Sequence, residues 1–167
     1  ERMTGQDVKM DAAAAEEIER WAQARMEALR ATAEAAAAQF WAQAMAERRR
    51  RPKAEWGRLG VRVRQQNTAR ALPGAFAIEW FECRWANPQP RGATRTAYIR
   101  RGRQLRYSRA AFRGLAQPWE IELAEAMEDR FAPIRRLVQS LSALRVQLRQ
   151  HLRLEQRLAG TAAQEGP

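Results

Sequence analysis

Two long stretches of the chain repeat their apolar residues at the spacing of an α-helix. Residues 7–50 form the first stretch, in which neither Gly nor Pro occurs between Val8 and Arg51, and Pro52 ends it. Such a pattern predicts one long amphipathic helix. Alanine dominates, so the predicted buried stripe is thin. It comprises Ile18, Trp21/Ala22, Met26, Leu29, Ala33, Ala36, Phe40 and Ala44.

Residues 118–158 form the second helical stretch, and Gln117-Pro118-Trp119-Glu120 is a good start signal for it. From Ile134 the apolar residues alternate spacings of three and four, the heptad pattern of helix–helix seams. Pro133 is expected to kink or restart the helix, because it lacks an N–H and clashes with the preceding turn. From Gly160 onward we expect a frayed tail. The apolar positions are Leu123, Met127, Phe131, Ile134, Leu137, Leu141, Leu144, Leu148 and Leu152.

Between the helices, residues 57–112 change to the period-two alternation of β-strands. Segments 59–64, 75–85, 94–101 and 105–107 are rich in branched and aromatic residues, and the breaks between them carry Pro and Gly. This predicts an antiparallel meander of three or four strands, with Ser108 capping a short helix. The predicted fold class is α+β: a small Arg-rich antiparallel β meander flanked by two long helices that form an antiparallel, coiled-coil stalk. The predicted units are 1–52, 53–116, 117–159 and a flexible tail, 160–167.

The predicted helices are longer than a compact domain needs. Each has about 40 residues, or about 60 Å at the helical rise, whereas a compact chain of this length has a radius of gyration of roughly 15 Å. Their exposed stripes are wide enough to require a second chain. We therefore expect a homodimer.

Charge is segregated along the chain. Residues 48–113 hold 18 of the 30 Lys and Arg but only three of the 19 acidic residues, a net charge of +15. Residues 1–47 carry −4 and residues 114–167 carry zero. A basic module of this kind is typical of nucleic-acid binders, and Arg suits phosphate and base edges better than Lys.

The basic residues of the middle module fall into groups along the predicted strands. Arg62 and Arg64 share one strand face, and a turn at residues 100–103 places several guanidinium groups at a predicted hairpin tip that could fit a DNA major groove. The alternative is a basic hairpin that only contacts the acidic first helix of a neighbouring chain. The candidate nucleic-acid-binding residues are Arg62, Arg64, Arg95, Tyr98, Arg100, Arg101, Arg103, Arg106 and Arg109.

The chain carries few residues suited to catalysis. With one His, His151, and one Cys, Cys83, it lacks the ligands of a metal site, and no glycine-rich phosphate loop occurs. We expect no enzyme activity, no metal and no cofactor. The acids in residues 120–129 are interpreted as a solvated face or as salt-bridge partners of the Arg-rich module. The lone Cys, and the lack of an apolar run of about 20 residues, indicate a cytoplasmic protein without a membrane partner.

Several short motifs occur in a recognisable order, from Ala77-Ile78-Glu79-Trp80-Phe81 through Tyr98–Gly102 and Ala110–Phe112 to Pro118-Trp119-Glu120 and Glu128–Arg135. This order resembles the MobI-type conjugative transfer proteins of integrative conjugative elements over residues 76–140, although it does not explain the Ala-rich first helix. The resemblance implies an accessory role at the transfer origin beside a separate relaxase. It also implies that Arg100, Arg101 and Gly102 lie near DNA; Arg101 replaces an expected Lys, which should not weaken phosphate binding.

These observations favour an accessory protein that docks on double-stranded DNA at the transfer origin and helps recruit or position a relaxase. Two alternatives stay open. The helical stalk could scaffold a protein complex while the basic face meets an acidic protein, or the ligand could be RNA.

Overall fold

The computed structural model describes residues 5–68, 71–85 and 94–164, with side chains described within 13–68, 71–83 and 96–161. Helix α1 spans Gly5–Arg50, and a short 3-10 helix follows at Lys53–Glu55. Strands β1 (Leu59–Gln65), β2 (Phe76–Trp85) and β3 (Thr94–Tyr98) come next. Helix α2 covers Arg109–Phe112 and helix α3 covers Pro118–Gln164. The predicted α+β class is confirmed.

The three strands form one antiparallel sheet in the order β1-β2-β3. Three strands agree with the predicted meander of three or four, but segment 105–107 is not a strand: residues 99–108 form an irregular loop after β3. The predicted hairpin with its tip at residues 100–103 is therefore wrong. Side chains of α3 take the hydrogen bonds that a strand would have made. Arg135 donates to the Leu105 carbonyl at 2.9 Å, and the Tyr107 amide donates to Glu128 at 2.8 Å.

Trp80 lies at the centre of the core and is fully buried. Its ring makes edge-to-face contacts with Phe40 of α1 at 4.8 Å, Phe112 of α2 at 5.4 Å and Phe131 of α3 at 6.1 Å. Such contacts add to the free energy gained by burying large aromatic surfaces. One strand residue thereby joins the sheet to all three helices.

Helices α1 and α3 run antiparallel, because Glu19 near one end of the pair contacts Arg145, whereas Gln39 contacts Arg130. Arg145 is fully buried; its Nη1 donates to the Pro73 carbonyl at 2.7 Å, so the ion pair also fixes the turn before β2. Helix α3 continues through Pro133 without restarting, and it reaches Gln164, past the predicted end at 159. Among the described residues, no helix is both long enough and apolar enough to cross a bilayer.

The predicted stripe of α1 is confirmed from Ala22 to Ala44, where each predicted position is buried. Two of its predicted members are wrong, since Ile18 is 41% exposed and Trp21 is 56% exposed. On α3 the leucine seam divides: Leu141 is buried against the rest of the chain, whereas Leu137 and Leu144 are exposed. Both helices thus keep apolar residues on a solvent-facing side.

Strand β1 is an edge strand whose outward polar groups are covered by side chains. The Trp41 indole donates to the Val61 carbonyl at 3.0 Å, and Glu120 accepts the Leu59 amide at 2.8 Å. Trp41 also reaches over Gly60, where an added Cβ would lie 2.4 Å from the Phe81 ring. Covering an edge in this way prevents pairing with strands of other chains.

Candidate nucleic-acid interface

The predicted nucleic-acid-binding residues occupy two surfaces. Arg62 and Arg64 share the outer face of the sheet, opposite the buried Val61, as predicted, and the register places Tyr98 on the same face. The remaining candidates, except Arg95, lie in the basic loop, defined as residues 100–109. Arg95 belongs to β3 and pairs in register with Arg84, but its side chain lies outside the described residues.

On the outer sheet face, Glu79 neutralises part of the predicted binding charge. This carboxylate is only 7% exposed, and it accepts hydrogen bonds from Arg62 Nε at 3.1 Å and from Arg64 Nη2 at 2.8 Å. These bonds, that from Arg64 first, hold the pKa of Glu79 below its usual range. Two guanidinium groups therefore share one buried carboxylate. Tyr98, 54% exposed, lies directly across from Phe81 in the register.

Within the basic loop, Arg106 and Arg109 are paired with acids of α3. Arg106 contacts Asp129 and donates to the Glu125 carbonyl at 3.1 Å, while Arg109 Nη1 lies 2.6 Å from a Glu125 carboxylate oxygen. The interpretation of the α3 acids as salt-bridge partners is confirmed for Glu125 and Asp129. These two arginines have carboxylate partners within the chain before any ligand arrives.

Three other arginines of the loop have no such partner. Arg100 and Arg103 are exposed and form no ion pair or hydrogen bond within the described part of the chain. Arg101 is half-buried, and its Nε is buried without a hydrogen-bond partner. Gly102, between them, has φ of +77°, a conformation that glycine adopts without the cost other residues incur. The loop thus presents three unpaired guanidinium groups within four residues.

Behind the loop lies the buried network, a cluster that sequence reasoning missed: Glu128 with Arg135, Trp80 and the Tyr107 amide. Glu128 is fully buried, and its oxygens accept from the Trp80 indole at 2.7 Å and from both Nη atoms of Arg135 at 2.8 and 2.9 Å. Arg135 also donates to the Leu105 and Ile78 carbonyls. The available signal was the seven-residue spacing of Glu128 and Arg135, which places both on one side of a helix.

The single cysteine and the buried tyrosine lie in surroundings that disfavour their ionised forms. Burial raises the pKa of Cys83, a half-buried thiol, and thiols react as thiolates. Burial, together with a hydrogen bond to Tyr98, raises the pKa of Tyr107. No group of three or more metal-ligating side chains forms within the described ranges. His151 is exposed on α3, next to Glu155.

A family model described as MobI protein matches residues 29–149. The chain belongs to the MobI family. The match extends the resemblance seen in the motifs, because it begins inside α1 and continues along α3 beyond residue 140. It associates the chain with conjugative mobilisation, in an accessory role. No curated protein and no solved structure matches the chain.

The structure gives most of the MobI-like motifs a place in the interior. Trp80 of the first motif, and Glu128 and Arg135 of the last, form the buried network, and Glu120 of the Trp119-Glu120 motif accepts the Leu59 amide. The Tyr98–Gly102 motif differs, because its arginines point out of the network. In this MobI chain it leaves two arginines, Arg100 and Arg101, without an ion-pair or hydrogen-bond partner within the described residues, whereas Arg130 of the last motif contacts Gln39.

Proposed function

We propose that this MobI chain is a DNA-binding accessory protein of conjugative transfer, which docks on duplex DNA at the transfer origin and helps position a relaxase. The observation that carries the proposal is the sorting of arginines on one basic module. Arg62, Arg64, Arg106 and Arg109 have carboxylate partners, whereas Arg100, Arg101 and Arg103 have none within the described residues. Membership of the MobI family supports the assignment of this DNA binding to conjugative transfer.

Unpaired arginines suit phosphate because no internal ion pair must break before binding. A guanidinium can donate two parallel hydrogen bonds to a phosphate, and release of counterions from DNA drives the association. The buried network holds the loop from behind at Leu105 and Tyr107. A loop fixed in this way binds with less loss of conformational entropy than a mobile one.

The test is Arg100, Arg101 and Arg103 changed together to Ala. We expect duplex affinity to fall by about ten-fold or more, and the salt dependence to decrease by about one unit per lost phosphate contact. The matched control changes Arg25, Arg136 and Arg153, three exposed arginines of the stalk, and removes the same charge. Gel shifts in a series of salt concentrations measure both quantities.

Three outcomes would contradict the assignment. Equal losses in the two variants would mean that net charge, rather than the loop, sets the affinity. Tighter binding of RNA than of duplex DNA, lost in the loop variant, would favour the RNA-binding alternative. Unchanged DNA binding in a folded loop variant would favour the scaffold alternative.

For the enzyme partner, we propose that nicking belongs to a separate relaxase. Relaxase-type metal sites need several imidazoles around the cation, and this sequence has one His. The purified protein should leave supercoiled DNA intact with or without divalent metal, and should change relaxase loading only when both proteins are present. Nicking by this protein alone, lost on mutation of Tyr98 or Tyr107, would overturn the division of roles.

One side of the helix pair, which includes Leu137 and Leu144 of the predicted seam but not the buried Leu141, supports dimerisation. Gln39 of α1 contacts Arg130 of α3, so these two residues lie on the same side of the helix pair. Trp21 lies five full turns before Gln39, and Leu137 lies two turns after Arg130, so both lie on that side as well. Trp21, Leu137 and Leu144 are exposed there. We propose that a second copy covers this side. Large apolar side chains on an exposed helix pair favour such burial.

Sedimentation tests the dimer. Changing Leu137 and Leu144 to Asp should shift the protein to monomer. Each aspartate would be an unpaired charge buried in the dimer interface, at a cost of several kcal/mol to the free energy of dimerisation. Val146→Asp is the control, since Val146 is also exposed but lies on another side of α3. A monomeric wild type at tens of micromolar, or equal effects of both changes, would remove this part of the proposal.

A further inference from the structure

A basic cavity lies where the end of α1 meets the start of α3, and its lining shares no residue with the basic loop. It has a volume of about 540 Å³, within the roughly 300–1,000 Å³ of small-molecule sites. Its lining includes Arg48, Lys53, Arg58, Trp56 and Gln117. Neither the sequence motifs nor the basic loop accounts for it.

Side-chain hydrogen bonds hold the walls of the cavity in place. Gln117 Nε2 donates to the Ala54 carbonyl at 3.3 Å, and the Trp119 indole donates to the Glu55 carbonyl at 3.1 Å. Glu120, 1% exposed, accepts the Leu59 and Gln117 amides at 2.8 and 3.1 Å. These bonds fasten the segment after α1 to the start of α3, so the cavity is formed before any ligand binds.

Gly57 is required for this closure. A Cβ at this position would lie 2.1 Å from a carboxylate oxygen of Glu120 and 2.3 Å from its carboxyl carbon. Any larger residue would displace Glu120 from the two amides that it accepts. The cavity wall therefore depends on a close approach that only glycine allows.

Among the described residues, those that line the cavity are cationic and aromatic and include no carboxylate. The Arg48 guanidinium lies 4.0 Å from the centre of the Trp56 ring. Arg58 Nη1 lies 3.7 Å from a carboxylate oxygen of Glu82, which is too far for a hydrogen bond, and Glu82 does not line the cavity. Arg48, Arg49 and Arg50 occupy the last turn of α1. Their three charges exceed the partial negative charge of about one half at a helix C-terminus. The site favours an anion that also carries a flat ring.

We propose that this cavity binds one unpaired nucleotide of a DNA strand, with the phosphate at Lys53 and Arg58 and the base against Trp56. The proposal deepens the DNA binding proposed above, since it adds a second DNA structure to the duplex. A cavity of this volume admits one nucleotide. It is too small for a double helix, because a duplex is wider than its major groove, which is itself about 12 Å wide. Sites for single strands combine basic grooves with aromatic rings on which bases stack.

The experiment compares a blunt duplex with the same duplex carrying a single-stranded tail, both bound to the full chain. Lys53 and Arg58 are changed together to Gln. We expect about ten-fold weaker binding of the tailed duplex and less than about two-fold change for the blunt one. The control, Arg49 and Arg113 changed to Gln, removes the same charge from exposed positions outside the cavity lining.

The two proposals then fail in different ways. If the cavity variant loses equal affinity for blunt and tailed DNA, the cavity proposal is wrong, whereas the proposal that the basic loop binds duplex DNA is not affected. Equal loss on both probes in the variant lacking Arg100, Arg101 and Arg103 is expected if the loop binds duplex. If the variant with Lys53 and Arg58 changed to Gln still binds the tailed duplex more tightly than the blunt duplex, the cavity does not bind the tail.

A direct readout covers the case in which the cavity variant folds poorly. The indole N–H resonance of Trp56, assigned by its loss in Trp56→Phe, should shift when thymidine 3′,5′-bisphosphate is added to the wild-type protein. Thymidine without phosphate should shift it much less. No shift with the bisphosphate, or a shift only with vesicles containing anionic lipid, overturns the nucleotide assignment.

Discussion

Arg135 and the trio Arg100, Arg101 and Arg103 all lie within the stretch that carries the MobI-like motifs, yet the fold uses them in opposite ways. Arg135 is 6% exposed and bonded to Glu128 and two carbonyl oxygens. The trio lies in the basic loop and forms no ion pair within the described residues. Counting basic residues along the sequence assigns the same value to all four, although one is a core residue and three are available to a ligand.

The difference comes from where the carboxylates lie rather than from where the arginines lie. Helix α3 presents Glu125, Glu128 and Asp129 within two turns, and these acids reach Arg109, Arg135 and Arg106 respectively. The arginines at residues 100–103 form no ion pair with these acids in the described structure. A surface can therefore carry high positive charge while only a small part of it is free to bind phosphate.

The largest expected effect is on the paired side of this comparison. Arg135→Met should lower the free energy of unfolding by about 3–5 kcal/mol, because it leaves the buried Glu128 carboxylate without its charged partner. Urea unfolding measures the loss. Arg130→Met is the control, since Arg130 is exposed on the same helix and contacts only Gln39 among the described residues; it should cost less than about 1 kcal/mol.

The double variant Arg135→Met with Glu128→Gln sharpens this prediction. A neutral amide at position 128 can still accept from the Trp80 indole, so the double variant should recover part of the loss. If the double variant is less stable than either single change by the full sum of their costs, the two residues do not act as a pair.

A smaller effect should follow from moving arginines between the two classes. Glu125→Gln with Asp129→Asn removes the partners of Arg109 and Arg106, and should strengthen duplex binding by about two- to five-fold with a steeper salt dependence. Stability should change by about 1 kcal/mol or less per pair, since these ion pairs are exposed. Gln104→Glu, which supplies a carboxylate inside the loop, should have the opposite effect on affinity.

Unchanged affinity in both of these variants would break the comparison, because it would show that internal pairing does not control which arginines bind DNA. Titration at several salt concentrations separates a change in the number of phosphate contacts from a general change in charge.

The smallest effect concerns pH. Hydrogen bonds from Arg145 lower the pKa of Glu19, and those from Arg64 and Arg62 lower the pKa of Glu79. A lowered pKa means that each carboxylate stabilises the fold above its unfolded pKa of about 4.5, and that this contribution is lost as the pH falls through the lower folded value. Glu19→Gln and Glu79→Gln should therefore be destabilising near neutral pH, with a difference from wild type that shrinks below pH 4.5.

Urea midpoints across an acid pH series measure that difference. Glu16→Gln, at an exposed position paired only with Arg20 in the described structure, should follow the wild-type curve. A constant offset at all pH values would mean that the substitutions act through packing rather than through charge.

The sequence by itself determined the elements of this protein. Helical periodicity of apolar residues, period-two alternation and Pro and Gly breaks are local signals, so both long helices and three strands could be predicted, as could the outward parity of Arg62 and Arg64. The order of short motifs also indicated the family. Residues 105–107 do not form a fourth strand, because the Tyr107 amide donates to Glu128 and the Leu105 carbonyl accepts from Arg135. Both partners are distant in sequence.

Only the tertiary structure decided which charges remain available. Whether Arg62 binds DNA or Glu79, and whether Leu141 or Leu137 faces solvent, depends on how α1, the sheet and α3 pack against one another. The cavity between residues 48–58 and Gln117 likewise exists only because Gly57 and Glu120 bring two distant segments together. Pairing of buried charges is a long-range property, since it depends on groups that meet only after folding, and one-dimensional patterns do not contain it.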